Sequence, residues 1–379
     1  MSSEPSFDLH WAMPGDEPEI RALVGAVPMP GAVAIRFARE PDYFLGASIM
    51  GNPCEVLVAR YRPDGRLAGI ACRAERRAYV NGKERRIGYI GQIRVAPDFR
   101  GHWLVHRGVK WFREASPPGL LYMGVIAGDN PRARKILLGE AGLANKNTRS
   151  RKLPMSPHTK RVSGLTTCAI LLRPQRVTSA AGIVLHPGSV DALPAIVAFL
   201  REQGSRRQFF PAYTLEDFIG GETLRGLSPQ DIQVAYRGEN MVGVMATWDQ
   251  ATYKQDIVEA YGPALRRLRP AYNLAAWLLR AQPLTPPGQP IPLAFAACIC
   301  IAEDDPLVMR LLLSACCERA RQSGKAFLMI GLADNDPLLD GTRRTIHITY
   351  HSDLFAASWS AEPVVELDGR LPYIEIATL

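Results

Sequence analysis

The segment that decides the fold is Ile93-Arg-Val-Ala-Pro-Asp-Phe-Arg100-Gly101, which stands between a strand-like run and a helix-like run. The residue pattern predicts a strand over 85–95 and a helix over 101–114. The first turn of such a helix has unpaired backbone N–H groups and the positive end of the helix dipole. A phosphate group would be stabilised at residues 100–105, where Arg100 can add a charge-assisted contact.

Outward from this segment, strands and helices alternate as in an α/β domain. The further predicted elements are a helix over 17–27 and strands over 55–61, 67–79, 119–127 and 166–172. Asn81-Gly82 separates two strand-like runs and predicts a tight hairpin turn. The strand over 119–127 leads into Asn130-Pro131, and proline suits the first turn of a helix.

The chain also repeats itself. Shifted by 176 residues, Leu9-His10 aligns with Leu185-His186, and Val58-Ala59 aligns with Val234-Ala235. Further on, residues 123–131 resemble residues 329–337 at an offset of 206, so the second copy has gained about 30 residues. Internal similarity of this kind indicates a duplicated fold.

We therefore expect two domains of one architecture, over residues 1–175 and 183–379, joined by a linker at 176–182. The added residues fall at about 249–290, where apolar residues at near-helical spacing predict a helical arm. A late strand over 371–377 would mirror the one over 166–172.

Two motifs carry a resemblance to a known family. The strand that ends at 93–101 before a helix, and the downstream run Asn130-Pro-Arg-Ala133-Arg134, resemble the GNAT superfamily of acyl-CoA-dependent N-acetyltransferases. The resemblance covers nearly all of the first copy and, more faintly, the second. It implies an α/β (α+β) fold of two tandem GNAT-like domains, each a mixed, mostly antiparallel sheet flanked by helices. It also implies that acetyl-CoA or another acyl-CoA is a cosubstrate, with its pantetheine arm along the strand edge at 92–95.

The resemblance assigns the cofactor to a specific set of side chains. These residues are Ile93, Arg94, Val95, Arg100, Gly101, His102, Trp103, Leu104, Val105, Asn130 and Arg134. The family usually has small residues where this chain has Trp103 and Val105, and glycine there lets a phosphate approach the backbone closely. In the second copy the same turn carries three acids over 303–305, which suit helix capping and would repel phosphates. We therefore expect one acyl-CoA site, in the first copy.

The usual catalytic groups of such a site are missing. Leu137 and Leu138 occupy the positions where relatives have a tyrosine acid, and Gln92 stands near the position of a carboxylate base. The remaining candidates for a proton relay are Glu75, Tyr89, His102 and Tyr122. For each of them a packed or solvated structural role is the alternative. His102 and His106 have a metal-compatible spacing, but no carboxylate motif accompanies them, and we expect no metal.

Composition narrows the class of protein. The 379 residues are 47% hydrophobic and 22% charged, which is typical of a globular protein. No apolar run approaches the roughly 20 residues of a membrane-spanning helix, and seven cysteines without Cys-x-x-Cys spacing argue against a disulfide framework. No signal peptide is evident, so a cytoplasmic location is expected. The net charge of +8 comes from residues 141–190, which contain eight bases and no acid.

Two functions follow as hypotheses. The first is an N-acyltransferase that moves an acetyl or longer acyl group from acyl-CoA directly to an amine, without a covalent enzyme intermediate. The second is a binding or regulatory protein that has kept the fold and lost the chemistry, which Trp103 and Val105 would fit. Nucleic-acid binding through the basic stretches 73–86 and 146–161 is the weakest alternative, since they lack interleaved aromatic residues. A small-molecule or peptide amine is the expected partner, and the sequence leaves its identity and the oligomeric state open.

Overall fold

The computed structural model describes residues 7–29, 31–101, 104–128, 130–131, 133–134, 157–174, 180, 182–278 and 282–379. Its strands are β1 (Phe7–Trp11), β2 (Val33–Ala38), β3 (Cys54–Tyr61), β4 (Leu67–Val80), β5 (Lys83–Val95), β6 (Tyr122–Ala127), β7 (His158–Leu171), β8 (Val184–Pro187), β9 (Ile232–Arg237), β10 (Asn240–Trp248), β11 (Gln255–Tyr261), β12 (Leu293–Ile301), β13 (Phe327–Ala333) and β14 (His347–Ser358). Its α-helices are α1 (Glu17–Ala26), α2 (Tyr43–Ala47), α3 (Leu104–Ala115), α4 (Leu193–Gly204), α5 (Leu215–Phe218), α6 (Pro263–Leu278), α7 (Pro306–Gln322) and α8 (Glu362–Val365).

Within these residues, twelve of the strands form one mixed, mostly antiparallel sheet. Its order is β1-β3-β4-β5-β6-β14-β7-β13-β12-β10-β9-β8. The order reads symmetrically from both edges, because β1, β3, β4, β5 and β6 of the first copy correspond to β8, β9, β10, β12 and β13 of the second. Two copies of one α/β fold are therefore confirmed, side by side in one sheet.

The last strand of each copy lies in the sheet of the other copy. β14 pairs antiparallel with β6 from Ser352↔Ala127 to Ala357↔Tyr122. β7 pairs antiparallel with β13 from Phe327↔Leu171 to Ala333↔Leu165. β7 and β14 also pair with each other along their length. Neither copy could complete its sheet alone, so the exchange joins the two copies into one body.

The predicted late strands are partly wrong. The first is longer than predicted, since β7 begins at His158 rather than at 166. In the second copy the strand is β14, and residues 371–377 do not form one. The apolar character of residues 371–377 comes from burial without strand pairing, because Tyr373, Ile374 and Glu375 are all buried.

The segment over 249–290 connects the copies a second time. It contains helix α6 and also a strand, β11, which the helical spacing did not predict. β11 pairs with β2 of the first copy from Gln255↔Ala38 to Tyr261↔Val33, and the two form a separate sheet. β2 and α2, which follow α1, are thereby held over one face of β4 and β5.

Candidate acyl-transfer site

β5 and β6 are neighbours in parallel, but only at one end. They pair at Gly88↔Tyr122 and Tyr89↔Met123, and no later pair is formed although β5 runs on to Val95. A wedge therefore opens between the two strands. The second copy has the same wedge, since β12 and β13 pair from Leu293↔Phe327 to Phe295↔Met329 and then separate.

A β-bulge lies on one wall of each wedge. In β5 the pairing with β4 shifts between Cys72↔Gly91 and Ile70↔Arg94, and Gln92 has a φ of 52°. In β12 the pairing with β10 shifts at the equivalent position, between Ala246↔Ala297 and Val244↔Cys300. Cys298 also has a φ of 52°. Left-handed backbone is uncommon for residues other than glycine. A bulge re-aims the backbone locally, so both copies turn a pair of amides out of the ladder.

In the second copy these amides are occupied. Cys298 N donates to Glu375 Oε2 at 2.8 Å, and Ile299 N donates to Tyr373 Oη at 3.1 Å. The Tyr373 and Tyr213 hydroxyls also donate to Glu375 Oε2, at 2.8 and 3.2 Å. Burial raises the pKa of the Glu375 carboxyl, although these donors oppose the rise. Residues 373–375 thus fill the second wedge with the chain's own polar groups.

In the first copy the corresponding amides belong to Gln92 and Ile93. No side chain of the described residues accepts a hydrogen bond from either of them. Gln92 instead lines a narrow cavity together with Arg39, Tyr43 and residues 46, 47, 49, 50, 378 and 379. The cavity is too narrow to hold a water molecule, so a ligand would have to part its walls.

The two wedges also differ at the helix that follows the bulge strand. At the start of α7, Asp305 Oδ1 accepts from Leu307 N at 2.8 Å and from Val308 N at 3.4 Å, as expected for a capping acid. Asp304 pairs with Arg207, and Asp305 pairs with Arg237 at 2.8 Å. The phosphate position of the second copy is therefore filled by carboxylates, which like-charge repulsion makes unsuitable for CoA.

At the start of α3 the first copy has no such acid. Arg100 and Gly101 are exposed, and Gly101 has a φ of 91°. Leu104 is the first helical residue and is buried, and Val105 is half-buried. His102 and Trp103 lie outside the described residues, as do Leu137 and Leu138.

The other predicted cofactor residues have different surroundings. Ile93 packs toward Trp111 and Phe112 of α3, whereas Val95 packs in the cluster of Phe99 and Leu104. Asn130 Oδ1 accepts from Ala133 N at 3.0 Å and so caps a helix start. Arg134 pairs with the buried Asp353 of β14 at 3.2 Å.

The catalytic candidates are divided between the two faces of the sheet, because neighbouring residues of a strand point in opposite directions. Glu75 pairs with Arg86 at 2.5 Å, and Tyr122 donates to Ser116 Oγ at 2.6 Å; both are buried on the α3 face. Tyr89 is buried on the other face, and its hydroxyl lies where a Cβ of Gly91 would be. The Tyr89 hydroxyl therefore adjoins the bulge, and burial raises its pKa to about 12.

Sequence reasoning missed most of the side chains on that second face. Tyr43 of α2 lies with its hydroxyl 3.1 Å from Cys72 Sγ. Three arginines surround Tyr89 electrostatically: Arg39, Arg76 and Arg94. Of these only Arg94 was a candidate. No sequence signal separates Arg39 and Arg76 from surface arginines. Arg39 directly follows β2, Arg76 belongs to β4, and they approach Arg94 of β5 only in the folded chain.

The described residues contain neither a cluster of metal ligands nor a membrane-spanning helix. Over the part of the chain that the structure describes, no group of three or more His, Cys, Asp or Glu side chains is placed to hold a metal ion. Among the same residues, no helix has the length and apolar character needed to cross a membrane.

Comparison with known proteins identifies the fold. No protein-family model and no curated protein matches the chain. Solved structures match over nearly its whole length. A GCN5-related N-acetyltransferase from Sphaerobacter thermophilus is 14% identical with a TM-score of 0.55, and the match covers 98% of each chain. Saccharomyces cerevisiae N-myristoyltransferase with bound myristoyl-CoA is 11% identical with a TM-score of 0.58, and the match covers 96% of this chain and 86% of that one.

A third match is the GCN5-related glucosamine N-acetyltransferase region of a fungal multi-domain GH3 β-N-acetylglucosaminidase. It is 14% identical with a TM-score of 0.60, and covers 94% of this chain and 38% of that one. At such low identity these matches establish the fold. The chain is therefore a tandem GNAT-fold protein, whose two copies exchange their last strands within one sheet.

Proposed function

We propose that this protein is an acyl-CoA-dependent N-acyltransferase with one working site, in the wedge between β5 and β6. The observation that carries the proposal is the difference between the two wedges. Glu375 and Tyr373 occupy the bulge amides of the second copy, whereas no described side chain occupies those of Gln92 and Ile93. An extended amide chain such as pantetheine needs such free backbone groups. The likeness to an N-myristoyltransferase structure with bound myristoyl-CoA supports the same assignment.

The proposed reaction needs few catalytic side chains. The neutral amine attacks the thioester carbonyl directly and the C–S bond breaks. The nitrogen loses one proton, and the sulfur gains one and leaves as the CoA thiol. A bulge N–H aimed at the carbonyl oxygen would stabilise the charge that develops there. Tyr89 is protonated at neutral pH and could relay a proton to the departing sulfur. Burial raises its pKa to about 12, above the value of about 8.5 for a thiol, so the relay requires that the attacking amine return a proton to Tyr89 in the same step. Placement of the two substrates would supply most of the acceleration.

Binding is the first test. In a calorimetric titration with acetyl-CoA and with a longer acyl-CoA, we expect one equivalent to bind. Arg100→Ala should weaken that binding, because the exposed guanidinium lies at the proposed phosphate position. Arg343→Ala is a matched control, since Arg343 is exposed and pairs only with Asp340 in the second copy. Absence of binding would favour the alternative function, a GNAT-fold binding or regulatory protein.

Hydrogen exchange locates the site independently. The Cys298 and Ile299 amides should exchange slowly with and without ligand, because the protein itself accepts their hydrogen bonds. The Gln92 and Ile93 amides should exchange faster in the free protein and become protected by acyl-CoA. Protection by acyl-CoA elsewhere, without change at Gln92 and Ile93, would refute this placement of the cofactor.

A further inference from the structure

The face of the sheet beside the bulge of β5 holds an unusual concentration of positive charge. Arg39 is 4% exposed, and Arg76 and Arg94 are half-buried. Burial lowers the pKa of all three guanidinium groups, which expresses the unfavourable desolvation of their charge. The buried Lys254 of the 249–290 segment lies close enough to repel Arg39 electrostatically. Buried cations normally have a partner of opposite charge.

None of the three guanidinium groups has such a partner in direct contact among the described residues. No guanidinium nitrogen of the three lies within 4 Å of a carboxylate of the described residues, whereas Arg73 and Arg207 elsewhere in the protein have such pairs. Arg39 donates to the Ala38 carbonyl at 2.8 Å, and Arg94 donates to the Ile93 carbonyl at 3.1 Å.

Arg76 also lacks a carboxylate partner. It donates to Thr378 Oγ1 at 3.0 Å. The Nε atoms of Arg76 and Arg94 are buried without a hydrogen-bond partner. Arg76 and Arg94 thus each have a buried N–H group that no described residue accepts from.

Two of the arginines contact the same aromatic ring. The Arg39 and Arg94 guanidinium carbons lie 6.0 and 5.6 Å from the centre of one ring, that of Phe37. Like charges so placed repel each other, and a cation–π contact only partly offsets the repulsion. Asp256 and Glu375 attract Arg39 and Arg76 from a distance, but Glu375 is already bound to the second bulge.

The three arginines, Arg39, Arg76 and Arg94, adjoin the proposed site of acyl transfer. Arg39 lines the same narrow cavity as Gln92 of the bulge, and Tyr89 lies among all three arginines. The cavity has no room even for a water molecule, so an acceptor would have to part its walls, and only a small one would fit. A small acceptor with an anionic group would supply the missing counter-charge and hold its amine beside the thioester.

We propose that the acceptor is a small amine that carries an anionic group, a carboxylate or a phosphate, and that Arg39 and Arg94 bind that group. The inference rests on the proposed acyltransferase function and specifies its substrate class. A planar guanidinium presents several N–H donors to a carboxylate or phosphate in a fixed geometry, which explains arginine rather than lysine at both positions.

The test compares paired acceptors of which one carries an anionic group and the other a neutral group in its place. The full-length protein is assayed with acetyl-CoA by release of free CoA thiol. The pairs are amino acids with their amides, and phosphoethanolamine with ethanolamine. We expect kcat/KM to be about 10- to 100-fold higher for the anionic member of at least one pair, as charge-assisted hydrogen bonds imply. Preference within the amino-acid pairs identifies a carboxylate, and preference within the other pair identifies a phosphate.

Variants separate recognition from folding. Arg94→Gln should remove most of this preference, and Arg94→Lys should restore part of it. Because the preference is a ratio between two acceptors measured at saturating acetyl-CoA, it does not depend on any change in cofactor affinity, which is measured separately for each variant. Arg39 is almost fully buried, so Arg39→Gln serves only if its urea transition matches that of the unsubstituted protein. Arg343→Gln, at an exposed ion pair in the second copy, is the control that should change nothing.

The outcomes distinguish this proposal from the function on which it rests. Equal rates for charged and neutral acceptors would overturn it, and so would an unchanged preference in Arg94→Gln. Acetyl-CoA binding without turnover of any anionic amine would also overturn it, while the acyl-CoA site would stand. Failure to bind acetyl-CoA at all would instead refute the proposed function.

Discussion

Replacing Tyr373 with phenylalanine tests the claim that the second wedge is closed by the protein's own groups. The Tyr373 hydroxyl accepts from Ile299 N at 3.1 Å and donates to Glu375 Oε2 at 2.8 Å. Tyr373 is 3% exposed and Glu375 is 1% exposed, so water cannot readily replace either contact. The substitution keeps the ring and removes only these two hydrogen bonds.

The magnitude follows from the two groups left behind. A buried N–H without a partner costs about 1–3 kcal/mol, and a hydrogen bond to a charged group contributes about 1.5–3 kcal/mol. Glu375 keeps two hydrogen-bond donors, Cys298 N and the Tyr213 hydroxyl. The stabilisation lost at Glu375 therefore falls at the lower end of the second range. Because the two effects share one hydroxyl, they will not add fully. We expect Tyr373→Phe to lower the free energy of unfolding by about 2–4 kcal/mol.

Urea unfolding followed by circular dichroism measures this loss, and hydrogen exchange at Ile299 should become faster in the same variant. Tyr350→Phe is the control, since Tyr350 is 39% exposed and should lose less than about 0.5 kcal/mol. Acyl-CoA binding in the first copy should be unchanged. A loss below about 0.5 kcal/mol for Tyr373→Phe, with Ile299 still protected, would refute the account of a self-closed wedge.

Three further predictions concern single side chains. Tyr89→Phe should lower kcat by about 10- to 100-fold at neutral pH with unchanged acyl-CoA affinity, measured by thiol release; an unaltered kcat would exclude Tyr89 as the proton donor. Gly88→Ala should lower the free energy of unfolding by about 1–3 kcal/mol, because a Cβ there would overlap the Tyr122 ring; an unchanged urea midpoint would contradict that packing. Burial lowers the pKa of Lys254 from 10.5 to about 7. Between these two values the Lys254 amine is mostly neutral in the folded protein and protonated in the unfolded chain. The free energy of unfolding should therefore fall as the pH falls from about 10.5 to about 7. Lys254→Met should reduce the slope of the unfolding free energy between pH 7 and 9 by up to about 1.4 kcal/mol per pH unit, and equal slopes for both proteins would count against the buried lysine.

The sequence determined the features that depend on neighbours along the chain. The two offsets, 176 and 206, revealed the duplication, because copies of one fold repeat their apolar patterns even after a segment is inserted. Asn81-Gly82 predicted the turn between β4 and β5, and both residues have the positive φ that this turn requires. The three acids of the second copy predicted a capped helix start, which Asp305 provides. Each of these signals can be read from short stretches of sequence, either from one stretch alone or from two that resemble each other.

Only the tertiary structure decided which strands are exchanged and which wedge is filled. An apolar strand pattern does not specify its partner, so β14 could not be assigned to β6 from its residues alone. The contact between Glu375 and Cys298 spans 77 residues, and Arg39 and Arg94 meet on Phe37 from different sheets. Burial removes water as a competing partner, and the cost of an unpaired polar group or charge then depends on what the whole fold brings nearby. The acids over 303–305 already distinguished the two copies in the sequence, but the closure of the second wedge by Glu375 and Tyr373, which carries the functional assignment, became visible only in the folded chain.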